Sequence, residues 1–154
     1  MELALTEEQR MIQQSAERFL AQTASSSAVR AAMASEPGHN PDTWARIARE
    51  LYWPALAIPE HYGGLGLGFV EVCLLQEQLG RCLLPSPFYA TCCVATPALL
   101  LSHNQALKDR WLPLIAAGEV SASLAYTSAQ RWDDCGVQVY AQSDAKGYRL
   151  NGQY

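Results

Sequence analysis

The amino-acid sequence predicts a mainly α-helical protein, in which a helical bundle is followed by the first strands of an incomplete β domain. Three observations support this prediction. Apolar residues recur at helical spacing through most of residues 1–118. A glycine-rich stretch at residues 58–68 separates two of these helical patterns. After residue 119 apolar residues instead alternate with polar ones, which is typical of strands.

The size and composition of the chain limit the function classes that it can belong to. Its 154 residues suffice for one ordinary domain, or for one domain and a piece of another. Apolar residues make up 49% and charged residues 17%, so a sizeable core is available and disorder is not expected. The net charge of −4, without a run of basic residues, argues against a nucleic-acid surface. The most apolar run, residues 88–101, is too short to span a bilayer.

The cysteines and histidines do not form a metal-binding pattern. None of the five cysteines belongs to a Cys-x-x-Cys pair, and the three histidines lie far apart. Zinc ligation and a disulfide framework are therefore both poor interpretations. Reduced cysteines that serve as small apolar core residues fit better, and they suggest the cytoplasm. The N-terminus is acidic where a secretion signal would be basic, so secretion is not indicated.

The first predicted helix covers residues 6–23. Thr6 and Gln9 form a capping box, with acidic residues in the first turn. A short, weak helix is predicted over residues 28–35, after a break at residues 25–27. The apolar residues that recur at helical spacing in the first helix are Ile12, Ala16, Phe19 and Leu20.

The third helix is predicted to start at Pro41 or Asp42 and to end before Pro54. A tryptophan in such a helix is a core residue more often than a platform for a ligand. The residues predicted to share its inward face are Trp44, Ile47, Ala48 and Leu51.

The glycine-rich stretch contains four glycines in eleven residues, so its backbone must turn tightly or pass close to another group. A loop of this kind can also cradle a phosphate. However, no Gly-Lys-Ser/Thr ending follows, and no clear strand leads into the loop. A structural connector is therefore the favoured interpretation, and direct ligand contact is the alternative.

Three further helical segments follow the glycine-rich stretch. Residues 69–84 contain few polar positions, which predicts the central and most buried helix of the bundle. Residues 88–101 predict a buried helix pair or one kinked helix. A last helix is predicted over residues 104–117, with Gly118 as its C′ residue and a distortion at Pro113. Its predicted inward residues are Leu107, Trp111, Leu114 and Ile115.

Three strand signals follow, at residues 120–127, 136–143 and 148–150, with a turn at Lys146 and Gly147. The predicted domains are therefore a helical domain over residues 1–118 and the beginning of a β domain over residues 119–154. An unfinished sheet exposes an edge, which is costly. We expect either that the chain is a fragment or that another chain completes the sheet.

Four stretches, in this order, resemble the acyl-CoA dehydrogenase family. The resemblance covers essentially the whole chain and is specific, because spacing and order both match. It implies an orthogonal helical bundle followed by the first strands of the family's middle domain, an incomplete β-barrel here. It also implies that the family's C-terminal helical domain is absent from this chain. The four stretches are IPEHYGGLGLG at residues 58–68, EQLGR at 77–81, KDRWLPLIAAGE at 108–119 and GYRLNGQ at 147–153.

The resemblance implies the N-terminal part of an FAD-dependent acyl-CoA dehydrogenase, which dehydrogenates an acyl-CoA thioester between its α and β carbons. In this family a carboxylate removes the α proton while a hydride leaves the β carbon for flavin N5. That base is a glutamate of the C-terminal domain, and no carboxylate of this chain matches it, so no catalytic residue is assigned. Ordinary helix-surface or capping roles are favoured for Glu7, Glu8, Glu71 and Glu77.

The flavin-contacting positions that the resemblance implies are Tyr126, Thr127, Asp133 and Asp134. Tyr126 and Thr127 offer backbone groups and a hydroxyl, and Asp134 matches the terminal aspartate of the family pattern. The loop departs from that pattern, because Trp132 replaces a glycine and Asp133 replaces a serine. The carboxylate of Asp133 would lie near the flavin pyrophosphate or the CoA end, where two anions repel. Either the FAD site is weak or remodelled, or the loop adopts another conformation and FAD binds through a neighbouring subunit.

Two functions other than a complete enzyme remain open. A structural or regulatory subunit would keep the fold and pair with an active family member. A free-standing helical module would bind acyl chains or protein partners. The resemblance also implies homo- or hetero-oligomers and an acyl-CoA substrate. Which acyl-CoA the protein accepts would depend on the depth of a substrate cavity. Trp53, Tyr62 and Tyr89 could touch that cavity, although a core role is favoured for each.

Overall fold

The computed structural model describes residues 4–125, 134–145 and 147–152. The chain divides into two compact units, Met1–Ser123 and Leu124–Tyr154. The first unit is helical and the described part of the second contains one hairpin, so the predicted mainly α-helical fold with an incomplete β domain is confirmed. The elements are α1 (Glu7–Thr23), α2 (Ser26–Ala34), α3 (Pro41–Leu51), α4 (Phe69–Cys82), a π-helix (Tyr89–Ala95), α5 (Thr96–Leu101), α6 (Gln105–Ala116), β1 (Tyr140–Asp144) and β2 (Gly147–Asn151).

Helix α1 starts at the predicted capping box. The Thr6 hydroxyl accepts a hydrogen bond from the Gln9 backbone N–H at 3.2 Å, and Gln9 Oε1 accepts one from the Thr6 N–H at 3.0 Å. These bonds satisfy two N–H groups that the first helical turn leaves unpaired. The predicted inward face is also confirmed, since Ala16, Phe19 and Leu20 are buried in the core.

Side-chain caps fix the starts of α2 and α3. Ser25 accepts a hydrogen bond from the Ala28 N–H at 3.3 Å, so the predicted break is present at Ala24 and Ser25, but it is shorter than predicted because α2 already begins at Ser26. Asn40 caps α3 in the same way, with the Thr43 N–H at 3.0 Å. Pro41 occupies the first helical position, where no N–H is needed.

The end of α3 directs an aromatic side chain into the main core. Tyr52 has left-handed backbone angles (φ 55°, ψ 27°), which turn the chain so that Trp53 is only 3% exposed. The Trp53 ring lies edge-on to Phe19, with 5.9 Å between centroids, and to Phe88, at 6.1 Å. Such edge-to-face pairs are favourable aromatic arrangements. The surrounding core comprises Ala16, Leu20, Trp44, Ile47, Leu56, Val72, Leu75, Leu79 and Cys92.

The glycine-rich stretch folds back on the turn that precedes it. At Gly63 and Gly66 φ is +81° and +63°, values that favour glycine. Gly64 approaches the backbone so closely that a Cβ atom there would overlap with the Ile58 carbonyl group. Five consecutive N–H groups donate to backbone carbonyls of residues 55–60 at 2.8–3.2 Å: Gly63, Gly64, Leu65, Gly66 and Leu67.

Helix α4 packs on α1 and on the π-helix, and it has more buried residues than any other α-helix of the described residues, as predicted. Val72, Leu75 and Leu79 belong to the main core. Phe69 and Val70, at its start, are each 53% exposed. The sparse polar residues of α4 thus reflect an apolar surface as well as a buried face.

Glu71 joins the N-terminal ends of α1 and α4. Gln9 Nε2 donates to Glu71 Oε1 at 2.8 Å, while Oε2 is buried beside Gly68, the N-cap residue of α4. The hydrogen bond from Gln9 holds the pKa of Glu71 below its ordinary value. Burial opposes this shift, and the backbone N–H groups of Glu71 and Gly68 support it.

The variant Glu71→Gln should lower the free energy of unfolding by about 0.5–1 kcal/mol at pH 7, because it removes an anion from a helix N-terminus. The folded pKa lies below the unfolded value, near 4.5, so this stabilisation is fully present above that value. It is lost as the pH falls through the lower folded pKa. Urea denaturation should show a smaller difference in the free energy of unfolding between the variant and the wild type at pH 3 than at pH 7. Glu77→Gln, exposed on the same helix, is the control, and an equal loss in both variants would contradict this account.

Residues 88–101 form one continuous helical segment, so the predicted alternative of a helix pair is wrong. Phe88 is fully buried, and the π-helix that follows it continues directly into α5. A π-helix of this length is rare, and π-helical turns occur frequently at functional sites.

Helix α6 ends in the predicted glycine C-cap. Gly118 has φ +71°, and its N–H donates to the Ile115 carbonyl at 2.9 Å. The Glu119 N–H donates to the Leu114 carbonyl at 2.9 Å, which completes a Schellman motif. A Cβ atom at Gly118 would fall on that of Ala48, so the end of α6 and helix α3 pack at close approach.

The inward face of α6 differs from the prediction. Leu107 is 41% exposed, and Trp111 is only half-buried, with the Arg110 guanidinium 4.6 Å above its ring. Leu112 and Ala116 are buried instead, beside the correctly predicted Ile115. Apolar residues lie on both faces of α6, so the sequence pattern is compatible with either face being turned to the core. Packing against the rest of the protein decides which face is buried. The second core cluster that α6 joins contains Ala55, Ile58 and Tyr62.

Strands β1 and β2 form an antiparallel hairpin in which Tyr140 lies opposite Asn151 and Asp144 lies opposite Gly147. The second and third strand signals are therefore confirmed, although β1 starts later than predicted. Residues 120–125, the described part of the first predicted strand, form no strand. Lys146, of the predicted turn, lies outside the described residues. Both strands of this hairpin are exposed along their length, and an isolated hairpin is marginally stable in water.

Candidate functional site

Three of the four candidate flavin contacts, Tyr126, Thr127 and Asp133, lie outside the described residues. The fourth, Asp134, begins a short 3-10 turn, Asp134–Gly136. The structure therefore describes the segments on either side of the candidate loop, and the segment before the loop is held by a buried side chain.

Thr91 anchors the segment that leads into the candidate loop. This residue is fully buried in the π-helix. Its hydroxyl donates to the Ala122 carbonyl and accepts from the Ala122 N–H, both at 3.1 Å. One side chain thus satisfies both backbone groups of a residue that lies four positions before Tyr126. Because a buried polar group that loses its partner is costly, this contact holds the backbone at Ala122 firmly.

A second threonine completes the anchor. Thr96, 1% exposed, donates its hydroxyl to the Thr91 carbonyl at 2.8 Å, and its backbone N–H donates to the same carbonyl. From the sequence the two threonines are only polar interruptions of an apolar run. The signal that could have identified them is their position, since a hydroxyl inside an apolar helix needs a partner.

The glycine-rich stretch offers no cradle for a phosphate. An anion-binding loop presents several free backbone N–H groups to its ligand. Here the five N–H groups of residues 63–67 all donate to backbone carbonyls of the preceding turn. This arrangement supports the interpretation as a structural connector.

The cysteines play different roles. Burial raises the pKa of the Cys92 thiol far above its ordinary value, and the neighbouring Cys93 adds to this shift. Burial, with a smaller contribution from Cys73, also raises the pKa of Cys93. Both are neutral thiols at pH 7 and therefore poor nucleophiles. The predicted core role is correct for Cys92, but it is wrong for the exposed Cys73 and Cys135.

Residues 4–125, 134–145 and 147–152 contain neither a metal-binding cluster nor a membrane-spanning helix. No group of three or more His, Cys, Asp or Glu side chains in these ranges could hold a metal ion. No helix in this part of the chain has the length and apolarity needed to cross a membrane.

Four carboxylates of the helical unit have structural roles. Glu7 and Glu8 lie in the first turn of α1, where negative charge is favourable. Glu71 is held by Gln9, and Glu77 is exposed on α4. The predicted helix-surface and capping roles are thus confirmed for these four residues.

The three aromatic residues that could touch a substrate cavity separate into two groups. Trp53 and Tyr62 are 3% and 8% exposed and belong to the two core clusters, as predicted. Tyr89 is 59% exposed at the start of the π-helix, so the core interpretation is wrong for this residue. The π-helix therefore presents an aromatic side chain on one side and the Thr91 anchor on the other, buried side.

Known proteins are similar to this chain over most of its length. A sequence model described as "Acyl-CoA dehydrogenase, N-terminal domain" matches residues 6–119. The acyl-CoA dehydrogenase IpdE2 of Mycolicibacterium smegmatis is 30% identical over 105 residues, which are 68% of this chain and 34% of that protein. The chain thus spans about a third of the length of this curated relative.

Solved structures show the same similarity. An acyl-CoA dehydrogenase from Bacillus anthracis, complexed with FAD, matches with a TM-score of 0.75 and 29% identity, over 96% of this chain and 26% of that one. The ChsE4-ChsE5 complex from Mycobacterium tuberculosis matches with a TM-score of 0.84 and 21% identity, over 99% of this chain and 40% of that one. At that identity the second similarity concerns the fold alone.

Proposed function

The chain belongs to the acyl-CoA dehydrogenase family, and from this premise we propose that it is the N-terminal part of an FAD-dependent acyl-CoA dehydrogenase. The reaction removes a proton from the α carbon and a hydride from the β carbon of an acyl-CoA thioester. The observation that carries this proposal is the family match over residues 6–119. The similarity to an FAD-complexed relative, over 96% of the chain, supports it.

We assign residues 1–118 to the helical N-terminal domain of such an enzyme and residues 119–154 to the beginning of its middle β domain. No catalytic residue is assigned to this sequence. The family resemblance implies that the base is a glutamate of the C-terminal helical domain, and Glu7, Glu8, Glu71 and Glu77 have capping or surface roles here.

FAD, when bound, supplies the hydride acceptor for this chemistry. In our proposal Tyr126 and Thr127 contact it through backbone groups and the Thr127 hydroxyl. Asp133 and Asp134 lie at the end of the same loop. Among the described residues, one contact supports this proposal. Thr91 holds the backbone at Ala122, shortly before the loop, and would limit the conformations that the loop can adopt.

A second candidate function is a partner subunit of a heteromeric dehydrogenase. Two observations favour it. The sequence carries Trp132 and Asp133 where the family pattern has glycine and serine, and a bulky ring and a carboxylate at those positions would disfavour an anionic cofactor or CoA. The fold also matches one of the chains in the ChsE4-ChsE5 complex. Such a subunit would complete the substrate channel or the cofactor site of an active relative.

Flavin content separates the two candidates. The full product of the gene that encodes this chain should be purified alone and together with a co-purifying family member, and its visible spectrum compared with its protein concentration. One FAD per chain in the protein purified alone is the expected result for the enzyme. One FAD per pair, found only with the second family member, would establish the partner subunit. Flavin-free protein in both preparations would contradict both functions.

The substrate class, the oligomeric assembly and the cellular location of the protein are also proposals that follow from family membership or composition. An acyl-CoA thioester is the substrate that family membership suggests, and a homo- or hetero-oligomer is the assembly. We place the protein in the cytoplasm, because all five cysteines are free.

A further inference from the structure

A cavity of about 370 Å³ lies between the C-terminal ends of α3 and α6. Cavities of a few hundred Å³ are large enough for small ligands. The close packing of Gly118 on Ala48 holds the two helices together beside this cavity. The lining residues that matter here are Ala48, Arg49, Tyr52, Tyr62, Pro113 and Ala116.

Tyr52 has a backbone conformation that its side chain disfavours. Its φ of 55° lies in the left-handed region, where a Cβ atom crowds the backbone. Four other described positions with φ between 63° and 81° are occupied by glycine: Gly38, Gly63, Gly66 and Gly118. A glycine at position 52 would end α3 equally well. The tyrosine lines the cavity with a side chain that is 54% exposed, so its ring is available to a ligand.

The charge of the cavity is positive. Among the described residues, Arg49 is the one charged residue that lines it, and Arg49 is exposed. Arg46, one turn earlier on α3, pairs with Glu50 at 3.2 Å, whereas Arg49 has no ion pair within the described residues. A free guanidinium beside two tyrosine rings and small apolar side chains complements an anion with an apolar body.

We propose that this cavity binds a small carboxylic acid with an aromatic or branched apolar body. The apolar body packs on the Tyr52 ring and against the alanines, and the carboxylate pairs with the Arg49 guanidinium. This site lies within the helical unit and uses none of the candidate flavin contacts. It is therefore a binding site beyond the proposed dehydrogenase function, and its test does not depend on that function.

The test is a titration of the isotope-labelled full gene product with sodium 4-phenylbutyrate, followed by transverse-relaxation-optimised NMR of the backbone amides. We expect saturable shifts at Ala48, Tyr52 and Ala116. Tyr52→Gly should weaken binding about tenfold by removing an aromatic wall. The same variant should raise the thermal midpoint by about 2–4 °C, because it relieves the left-handed strain. Binding and stability should thus change in opposite directions, which a merely structural role for Tyr52 would not produce.

Matched variants complete the experiment. Leu83 is also left-handed (φ 56°) and 75% exposed, but it does not line this cavity. Leu83→Gly should therefore raise the midpoint and leave phenylbutyrate binding unchanged. Arg49→Gln should weaken phenylbutyrate binding and leave the binding of uncharged 4-phenylbutanol unaltered, and Arg18→Gln on α1 should affect neither. The proposal is overturned if no saturable shift appears at the cavity, if Tyr52→Gly binds like the wild type, or if Tyr52→Gly lowers the midpoint.

Discussion

Replacing Trp53 with alanine is expected to lower the free energy of unfolding of the helical unit by about 3–5 kcal/mol. The side chain is 3% exposed and lies between Phe19 and Phe88, which approach its ring edge-on. Its removal takes a large apolar surface out of the core and leaves a cavity that the surrounding elements cannot close. Since small domains have a total stability of about 5–15 kcal/mol, this loss is a large fraction of the whole.

The measurement for Trp53→Ala is urea denaturation followed by far-UV circular dichroism, which does not depend on the tryptophan itself. Trp111→Ala is the matched control, because that ring is half-buried under the Arg110 guanidinium on the outer side of α6. We expect the loss at Trp111 to be less than half of the loss at Trp53. Equal losses at the two positions would show that Trp53 is not the centre of the core.

Replacing Gly64 with alanine is expected to cost about 3 kcal/mol, at the upper end of what overpacking usually costs. A Cβ atom at this position would overlap with the carbonyl oxygen and carbon of Ile58, which are backbone atoms and cannot rotate away. Relief would require the loop to separate from the preceding turn. That movement would break the hydrogen bonds from Leu65 to Ala55 and from Leu67 to Leu56, at 2.9 and 2.8 Å.

The control for Gly64→Ala is the adjacent Gly63→Ala. Gly63 has φ +81° with open space where a Cβ atom would lie, so alanine there meets only the left-handed strain, about 1–2 kcal/mol. Chemical denaturation should therefore show a larger loss in the free energy of unfolding for Gly64→Ala than for Gly63→Ala. The reverse order would mean that the loop is held by its turn geometry and not by its close approach to Ile58.

The parts of the fold that depend on local chemistry could be predicted from the sequence. The capping box of Thr6 and Gln9 and the C′ role of Gly118 each follow from neighbouring residue types, and both are confirmed. The features that depend on distant partners could not be predicted. The apolar residues on both faces of α6 gave no basis for choosing Leu112 over Trp111 as the buried residue.

The same limit applies to α4 and to the start of the second unit. An apolar pattern does not reveal what covers each position, and Phe69 and Val70 are exposed at the start of a helix whose later turns are buried. Residues 120–125 have a strand-like sequence but form no strand, because a strand needs a partner with which to pair.

The candidate site was predictable only in part. Family resemblance identified Tyr126, Thr127, Asp133 and Asp134, whereas composition and periodicity did not. The anchoring by Thr91 was missed, because its partner Ala122 lies 31 residues away in the sequence. A hydroxyl inside an apolar helix indicates that a partner is needed, but nothing local identifies the backbone of a later segment as that partner.

The central claim is that this chain is the N-terminal part of a working FAD-dependent acyl-CoA dehydrogenase. The most direct test is an anaerobic titration of the full gene product, with any co-purifying family member, against a panel of acyl-CoA thioesters while the flavin absorbance is recorded. We expect that at least one thioester bleaches the long-wavelength flavin band and yields the corresponding 2-enoyl thioester, whereas free CoA does not. A flavin band that persists with every thioester, with no enoyl product, would contradict the claim.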